Sequence, residues 1–186
     1  AGELTLDLAL GAVKHGFGLK DATPGNVLFS GPRPVFIDVP SFERRDAHDP
    51  VWRPHAQFAR TFLLPLLVNR RLGTPLADIF LNRRDGLEPE EVYRSMSFGQ
   101  RLAPQVLGLV SMPVWLSGRA RAQEGTLYGS HKVNDPEKAR FILESILGRL
   151  KRTLRALQPA RNTDSTWADY TETHGYSEAA MAAKEK

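Results

Sequence analysis

The sequence predicts a mainly α-helical fold carrying one short β-hairpin. Two observations lead there. Apolar residues recur at helical spacing near the start, in the middle and towards the end of the chain. Paired β-type runs, Val27-Leu28-Phe29 and Val35-Phe36-Ile37, are joined by Ser30-Gly31-Pro32-Arg33-Pro34, which has strong turn chemistry.

Taken in order, Leu6, Ala9, Leu10 and Val13 follow the spacing of one helix face, and Gly16 stands where a C-terminal stop belongs. The hairpin follows; two strands are marginal by themselves, so helices must cover it. Pro54 to Asn69 reads as a helix with Phe58, Phe62, Leu66 and Asn69 down one side and Leu63 and Leu67 widening it, bent at Pro65. A short helix over Leu76–Leu81 stops before Asp85-Gly86, and Pro89 with Glu90 and Glu91 opens another. Gln100 to Gly118 reads as short helices or turns interrupted by Pro104 and Pro113, and residues 119–134 as a loop.

Asp135-Pro136 opens the strongest helix, a cap followed by proline at the first position, with Phe141, Leu143, Ile146, Leu147, Leu150, Leu154 and Leu157 as its apolar face. Seven bases against three acids between Asp135 and Arg161 read as a solvated face. Beyond Pro159 the chain turns polar, then presents Trp167, Tyr170 and Tyr176 as aromatic anchors; Ser177 and Glu178 could start a further helix. The expected division is a helical unit over 1–158 and, over 159–186, a linker and the start of a following domain. A first helix that begins in mid-pattern predicts a longer native polypeptide.

Composition narrows the chemistry. The chain has 186 residues, with 25 Lys and Arg against 21 Asp and Glu, a net charge of +4. That excess permits a phosphate-bearing partner without requiring one. The absence of cysteine excludes a disulfide scaffold, a thiol nucleophile and a thiolate zinc site. It fits a reducing cytoplasm, the expected location. No apolar run approaches the ~20 residues that span a bilayer, and no secretory leader opens the chain. The five histidines make no i, i+4 metal pair; His48, between Asp46 and Asp49, reads as a loop residue. Ser41 and Ser117 lack a nucleophile elbow. Trp52, Trp115 and Trp167 read as packing anchors, since no basic and aromatic residues interleave around them; neither nucleic acid nor a membrane is an expected partner.

The informative stretch is Leu19-Lys20-Asp21-Ala22-Thr23-Pro24-Gly25-Asn26-Val27-Leu28-Phe29, followed by Pro34-Val35-Phe36-Ile37-Asp38. Phosphoryl transfer needs a carboxylate to position or deprotonate the accepting hydroxyl, and hard oxygen donors to hold magnesium against phosphates. On that logic Asp21 is the candidate catalytic base and Asn26 and Asp38 the candidate metal ligands. The same residues also read as ordinary structure: Asp21 capping a turn, Asn26 opening a strand and Asp38 ending one.

This segment resembles the catalytic loop and metal-binding strand of the protein kinase-like superfamily, in its aminoglycoside and choline phosphotransferase branch. More closely, Leu19–Phe29 with VFIDVPSFE (35–43) resembles the kinase-like N-terminal region of bacterial class I S-adenosylmethionine-dependent methyltransferases. The likeness continues through Gln57–Leu66 and Arg84–Leu87 and resumes at Trp167–Tyr170 and Tyr176-Ser177. It implies the C-terminal lobe of a kinase-like fold, regulatory or substrate-positioning within a methyltransferase. It implies magnesium and ATP at the kinase-like site, and S-adenosylmethionine only in the full-length protein. The partners it implies are an upper kinase-like lobe and a methyltransferase domain, with a small-molecule or nucleotide ligand.

Two departures accompany the resemblance. Leu19 stands two residues before Asp21, where active kinases commonly carry His or Tyr. The glycine-rich loop and phosphate-binding Lys of the upper lobe are absent, and Gly16-Phe17-Gly18 is a helix stop rather than a phosphate cradle. A small-molecule phosphotransferase fragment and a non-catalytic scaffold are the alternative readings.

Overall fold

The computed structural model describes residues 1–120 and 132–159. Helix α1 (Gly2–Lys14) buries Leu6, Ala9 and Val13 and gives way to Gly16 at φ +78°. Such a left-handed backbone is open to glycine at little cost. From there the chain enters β1 (Phe17–Leu19).

The predicted hairpin is present as β2 (Val27–Ser30) and β3 (Arg33–Phe36), paired Val27 to Phe36 and Ser30 to Arg33. It is not the only strand pair. β1 pairs antiparallel with β4 (Phe42–Arg44), Leu19 opposite Phe42, and the ladder extends through Lys20 N–H to the Ser41 carbonyl at 2.8 Å and Arg45 N–H to the Gly16 carbonyl at 3.1 Å. The single-hairpin expectation is therefore corrected to two separate two-stranded sheets. Strands of three residues are too short to show a period of two, so only the tertiary pairing reveals them.

Helix α2 (His55–Phe58) continues through a π-turn (Ala59–Leu63) into α3 (Leu64–Leu72). The expected irregularity at Pro65 takes this form. Proline has no N–H to donate, and the helix widens just ahead of it, Leu64 N–H reaching back five residues to the Ala59 carbonyl. The residue that would serve the Arg60 carbonyl in that wide ladder is Pro65, and Leu87 N–H donates to it instead at 3.0 Å.

Then come α4 (Leu76–Asn82), α5 (Pro89–Ser95) and α6 (Phe98–Arg101), the last opened by a reciprocal Ser97–Gln100 capping box. Helix α7 (Pro104–Val106) runs through a second π-turn (Leu107–Ser111) into α8 (Met112–Ala120). Pro113 thus does not interrupt the chain as expected. It follows a π-turn two residues behind, as Pro65 does. The loop expected from 119 begins no earlier than the end of α8, and residues 121–131 lie outside the described residues.

Helix α9 (Pro136–Leu157) starts where Asp135 predicts, its carboxylate accepting from the N–H groups of Glu137 at 2.8 Å and Lys138 at 3.4 Å. It ends at Leu157, the last residue of the expected apolar face, and the later aromatic anchors and most of the expected linker lie at 160–186, outside the described residues. Its buried face is Ala139, Leu143, Leu147, Leu150, Leu154 and Leu157. Phe141, expected on that face, is 69% exposed; it sits two residues ahead of Leu143, about 200° around the helix.

One core joins these elements: α1 and α9 pack side by side, and Phe58, Leu63, Leu64 and Leu67 fill the space beneath them. Trp52 anchors one end, 5.6 Å from Phe58 between ring centres, and Phe58 stacks on Phe62 at 4.7 Å. The basic surface of α9 is partly engaged: Lys151 pairs with Asp7, and Arg155 with Glu3 at 3.1 Å. Among the described residues no helix is long and apolar enough to cross a membrane.

Candidate functional site

The two strand pairs bracket one surface. β1 delivers the chain into the loop holding Asp21 and Asn26, while β3 delivers it into the loop holding Asp38, which closes into β4. Because β1 and β4 pair with each other, and β2 with β3, the two loops are tied at both ends.

Within the first loop, Pro24–Asn26 forms a single tight turn that Pro24 begins. Thr23 donates its hydroxyl to Asn26 Oδ1 at 3.3 Å, and Asn26 N–H reaches the Thr23 carbonyl at 3.2 Å. The other side of the Asn26 amide faces the second loop: Nδ2 donates to Asp38 Oδ2 at 3.1 Å. Ser41, 2% exposed, donates its hydroxyl to the same oxygen. Ile37 N–H also reaches the Asn26 carbonyl at 3.0 Å, carrying the hairpin ladder up to the site.

The two candidate metal ligands, twelve residues apart, are therefore neighbours. Asp38 is half-buried and uses one carboxylate oxygen for both donors. Its other oxygen has no partner among the described residues.

Asp21 is exposed and held from behind. Gln57 of α2 donates its amide nitrogen to Asp21 Oδ1 at 3.3 Å and accepts from the buried Ala22 N–H at 2.7 Å. One turn further, Thr61 donates its hydroxyl to the Gln57 carbonyl at 2.8 Å and lies 3.4 Å from the Ala22 carbonyl. Helix α2 and the π-turn thereby fix the backbone at Ala22 and the direction of Asp21.

Three of these contacts are invisible to motif reading. Gln57 lies 36 residues from Asp21 in sequence, and nothing local marks it as a partner. Ser41 was read only as a poor nucleophile; it is a donor to a carboxylate. Thr61 sits in an amphipathic pattern where a hydroxyl reads as filler.

His48 has the expected loop role. Its N–H donates to Asp46 Oδ1 at 2.9 Å and its ring Nδ1 lies 2.9 Å from the Val133 carbonyl, pinning the two loops together. Among the described residues no group of three or more His, Cys, Asp or Glu side chains clusters as a metal site. Asn26 and Asp38 contribute one amide and one carboxylate.

A partly enclosed cavity of about 130 Å³ lies elsewhere: behind the β1–β4 pair, lined by Val13, Leu19, Arg44, Arg45, Trp52 and Leu143 among others. We place the candidate chemistry at the open surface of Asp21, Asn26 and Asp38, because Asn26 and Asp38 meet there, Asp21 shares a loop with Asn26, and enclosure alone identifies no reactive group.

Comparison with known proteins places the chain beside one longer relative. It is 26% identical over 172 residues to nodulation protein NoeA of Rhizobium meliloti (strain 1021), covering 92% of this chain. The chain spans 35% of that protein's length. No protein-family model matches the chain, and no solved structure matches it.

Proposed function

We propose that this chain is the kinase-like lobe of a larger bacterial methyltransferase, cytoplasmic, in which the Asp21–Asn26–Asp38 surface positions or regulates through a nucleotide-type ligand. The observation that carries the reading is the 3.1 Å bond from Asn26 to Asp38. An amide and a carboxylate from separate loops meet there, and the first of those loops also carries the exposed Asp21; these are the residue types that magnesium-dependent phosphate handling uses. The match to a much longer bacterial protein supports a part-of-a-whole role.

Both residues carry hard oxygens of the kind magnesium takes. Asp38 has one to spare; the Asn26 amide gives its nitrogen to Asp38 and its oxygen to the Thr23 hydroxyl, so holding one ion with both residues requires that amide to turn over. Magnesium is commonly held by one or two protein oxygens, with phosphates and water completing its shell. When bound there, it would neutralise phosphate charge. Asp21, aimed by Gln57, would orient an acceptor hydroxyl and take its proton. Lys20, exposed beside it, leaves the surface open to anions. The S-adenosylmethionine chemistry belongs, in this reading, to a further domain of the larger protein.

A second reading has its own observation. All three polar residues already have side-chain partners, as expected if they only tie the loops to the hairpin. Titration calorimetry with magnesium and ATP separates the two. The proposal expects magnesium-dependent binding to the wild type and its loss in Asp38→Asn. No binding to the wild type at millimolar nucleotide overturns a usable site in this chain and leaves the scaffold. Magnesium-dependent transfer to a small hydroxyl acceptor, lost in Asp21→Asn, would instead favour the phosphotransferase.

A further inference from the structure

A groove runs along one side of α9. At one end, about 320 Å³ lies open to solvent between Pro50, Val51, Trp52, Ile142, Ile146 and Leu150, with His55 and Arg149 also in its lining. The adjoining space, about 610 Å³, shares His55, Arg149 and Leu150 and adds apolar Pro104 and Leu109 beside Gln105, Arg152 and Thr153. Ile142 to Ala156 spans about 21 Å of helix.

Among the described residues neither part is lined by an acid. The contrast with the rest of α9 is sharp. Lys151 and Arg155 pair with Asp7 and Glu3 on α1, whereas Arg149 and Arg152 take part in no ion pair or hydrogen bond among the described residues. They stand three apart, on one face. At the apolar end Val51 is 53% exposed, and Trp52, 4% exposed, has a buried indole N–H without a partner among the described residues. Volumes of this size, mostly apolar with a few polar groups at one end, suit a small molecule.

We propose that this groove binds a free amphiphile with one anionic head, of the fatty-carboxylate class. Its apolar body lies over Val51, Ile142 and Ile146, and its carboxylate between Arg149 and Arg152. Burial of the body removes apolar surface from water, and charge-assisted hydrogen bonds from guanidinium fix the head. His55 adds little positive charge of its own: its side chain keeps an exposed edge, but the packed atoms around it strip hydration and lower its pKa, so the two arginines are the partners for the head. The inference does not depend on the Asp21 surface.

Calorimetric titration of the 186-residue chain with decanoate, below its micelle concentration, tests this. The expected result is one saturable site, weakened tenfold or more in the Arg149→Ala/Arg152→Ala double variant and lost in Val51→Glu. These side chains are exposed, so circular dichroism of the variants should match wild type. Decyltrimethylammonium, equal in chain and opposite in charge, should not bind. Unsaturable binding, unchanged affinity in the double variant, or equal binding of the cation overturns the proposal. So does sedimentation with anionic phospholipid vesicles in the absence of any decanoate site, which would assign the groove to a membrane surface.

Discussion

The Gln57 amide holds Asp21 with its nitrogen, at 3.3 Å, and the backbone beneath Asp21 with its oxygen, accepting from Ala22 N–H at 2.7 Å. Ala22 is fully buried, so its N–H has no water to turn to if that oxygen is removed. Gln57→Leu should cost about 1–3 kcal/mol, the penalty of an unpaired buried donor. Urea unfolding of the variant checks this. A change below a few tenths would show that Gln57 does not fix the loop.

Asp38 serves two donors, and its substitutions separate structure from ligand binding. Asp38→Ala strands the buried Ser41 hydroxyl and should lower stability by about 1–3 kcal/mol. Asp38→Asn keeps an acceptor oxygen and should cost distinctly less, while still removing the charge a metal needs. Thermal unfolding of both, alongside the calorimetric titration, distinguishes the two effects.

Gly86 is held against the widened helix. Its φ is +86°, and a Cβ placed there would stand 2.4 Å from the Arg60 carbonyl oxygen. That carbonyl accepts from Leu87 N–H, so the loop cannot retreat without breaking the bond. Gly86→Ala should cost about 2–4 kcal/mol, combining the left-handed backbone with steric overlap. Chemical denaturation gives the number, and a near-neutral result would mean the Arg60–Leu87 contact is dispensable.

The tie between α1 and α9 should depend on pH. Arg155 approaches Glu3 through two nitrogens, at 3.1 and 3.3 Å, and Gln158 adds a third donor at 3.1 Å. Hydrogen bonding to the Arg155 guanidinium chiefly holds the Glu3 carboxyl below its ordinary value of 4.5. A depressed carboxyl pKa means the folded state binds fewer protons than the unfolded one. Its stabilisation is present above 4.5 and is lost as pH falls through the lower folded value. The Tm difference between wild type and Glu3→Gln should therefore shrink on acidification. It should also shrink with added salt, because the pair is exposed.

Of the elements, α9 was the most legible: Asp135 and Pro136 announce its start, and leucines at helical spacing define its buried face. Phe141 misled because an apolar residue inside an amphipathic run is counted with its neighbours, although its angle places it outside. The π-turns were legible only as trouble near Pro65 and Pro113. A proline removes a donor wherever it stands, but whether the helix kinks, stops or widens depends on what can take the orphaned carbonyl. For Arg60 that is Leu87, 27 residues away.

The same division runs through the candidate site. Asp21, Asn26 and Asp38 could be chosen by the sequence alone, since residue type and order carry the chemistry. Local turn propensity also placed the β2–β3 hairpin. What only the tertiary structure decided is which groups hold them: Ser41 through the unforeseen β1–β4 pairing, and Gln57 and Thr61 through the docking of α2 beneath the loop. Those partnerships are long-range, made by packing rather than by any local preference. The groove beside α9 has the same origin, for its walls come from segments up to about a hundred residues apart in the chain, brought together by burial of the neighbouring face of the helix.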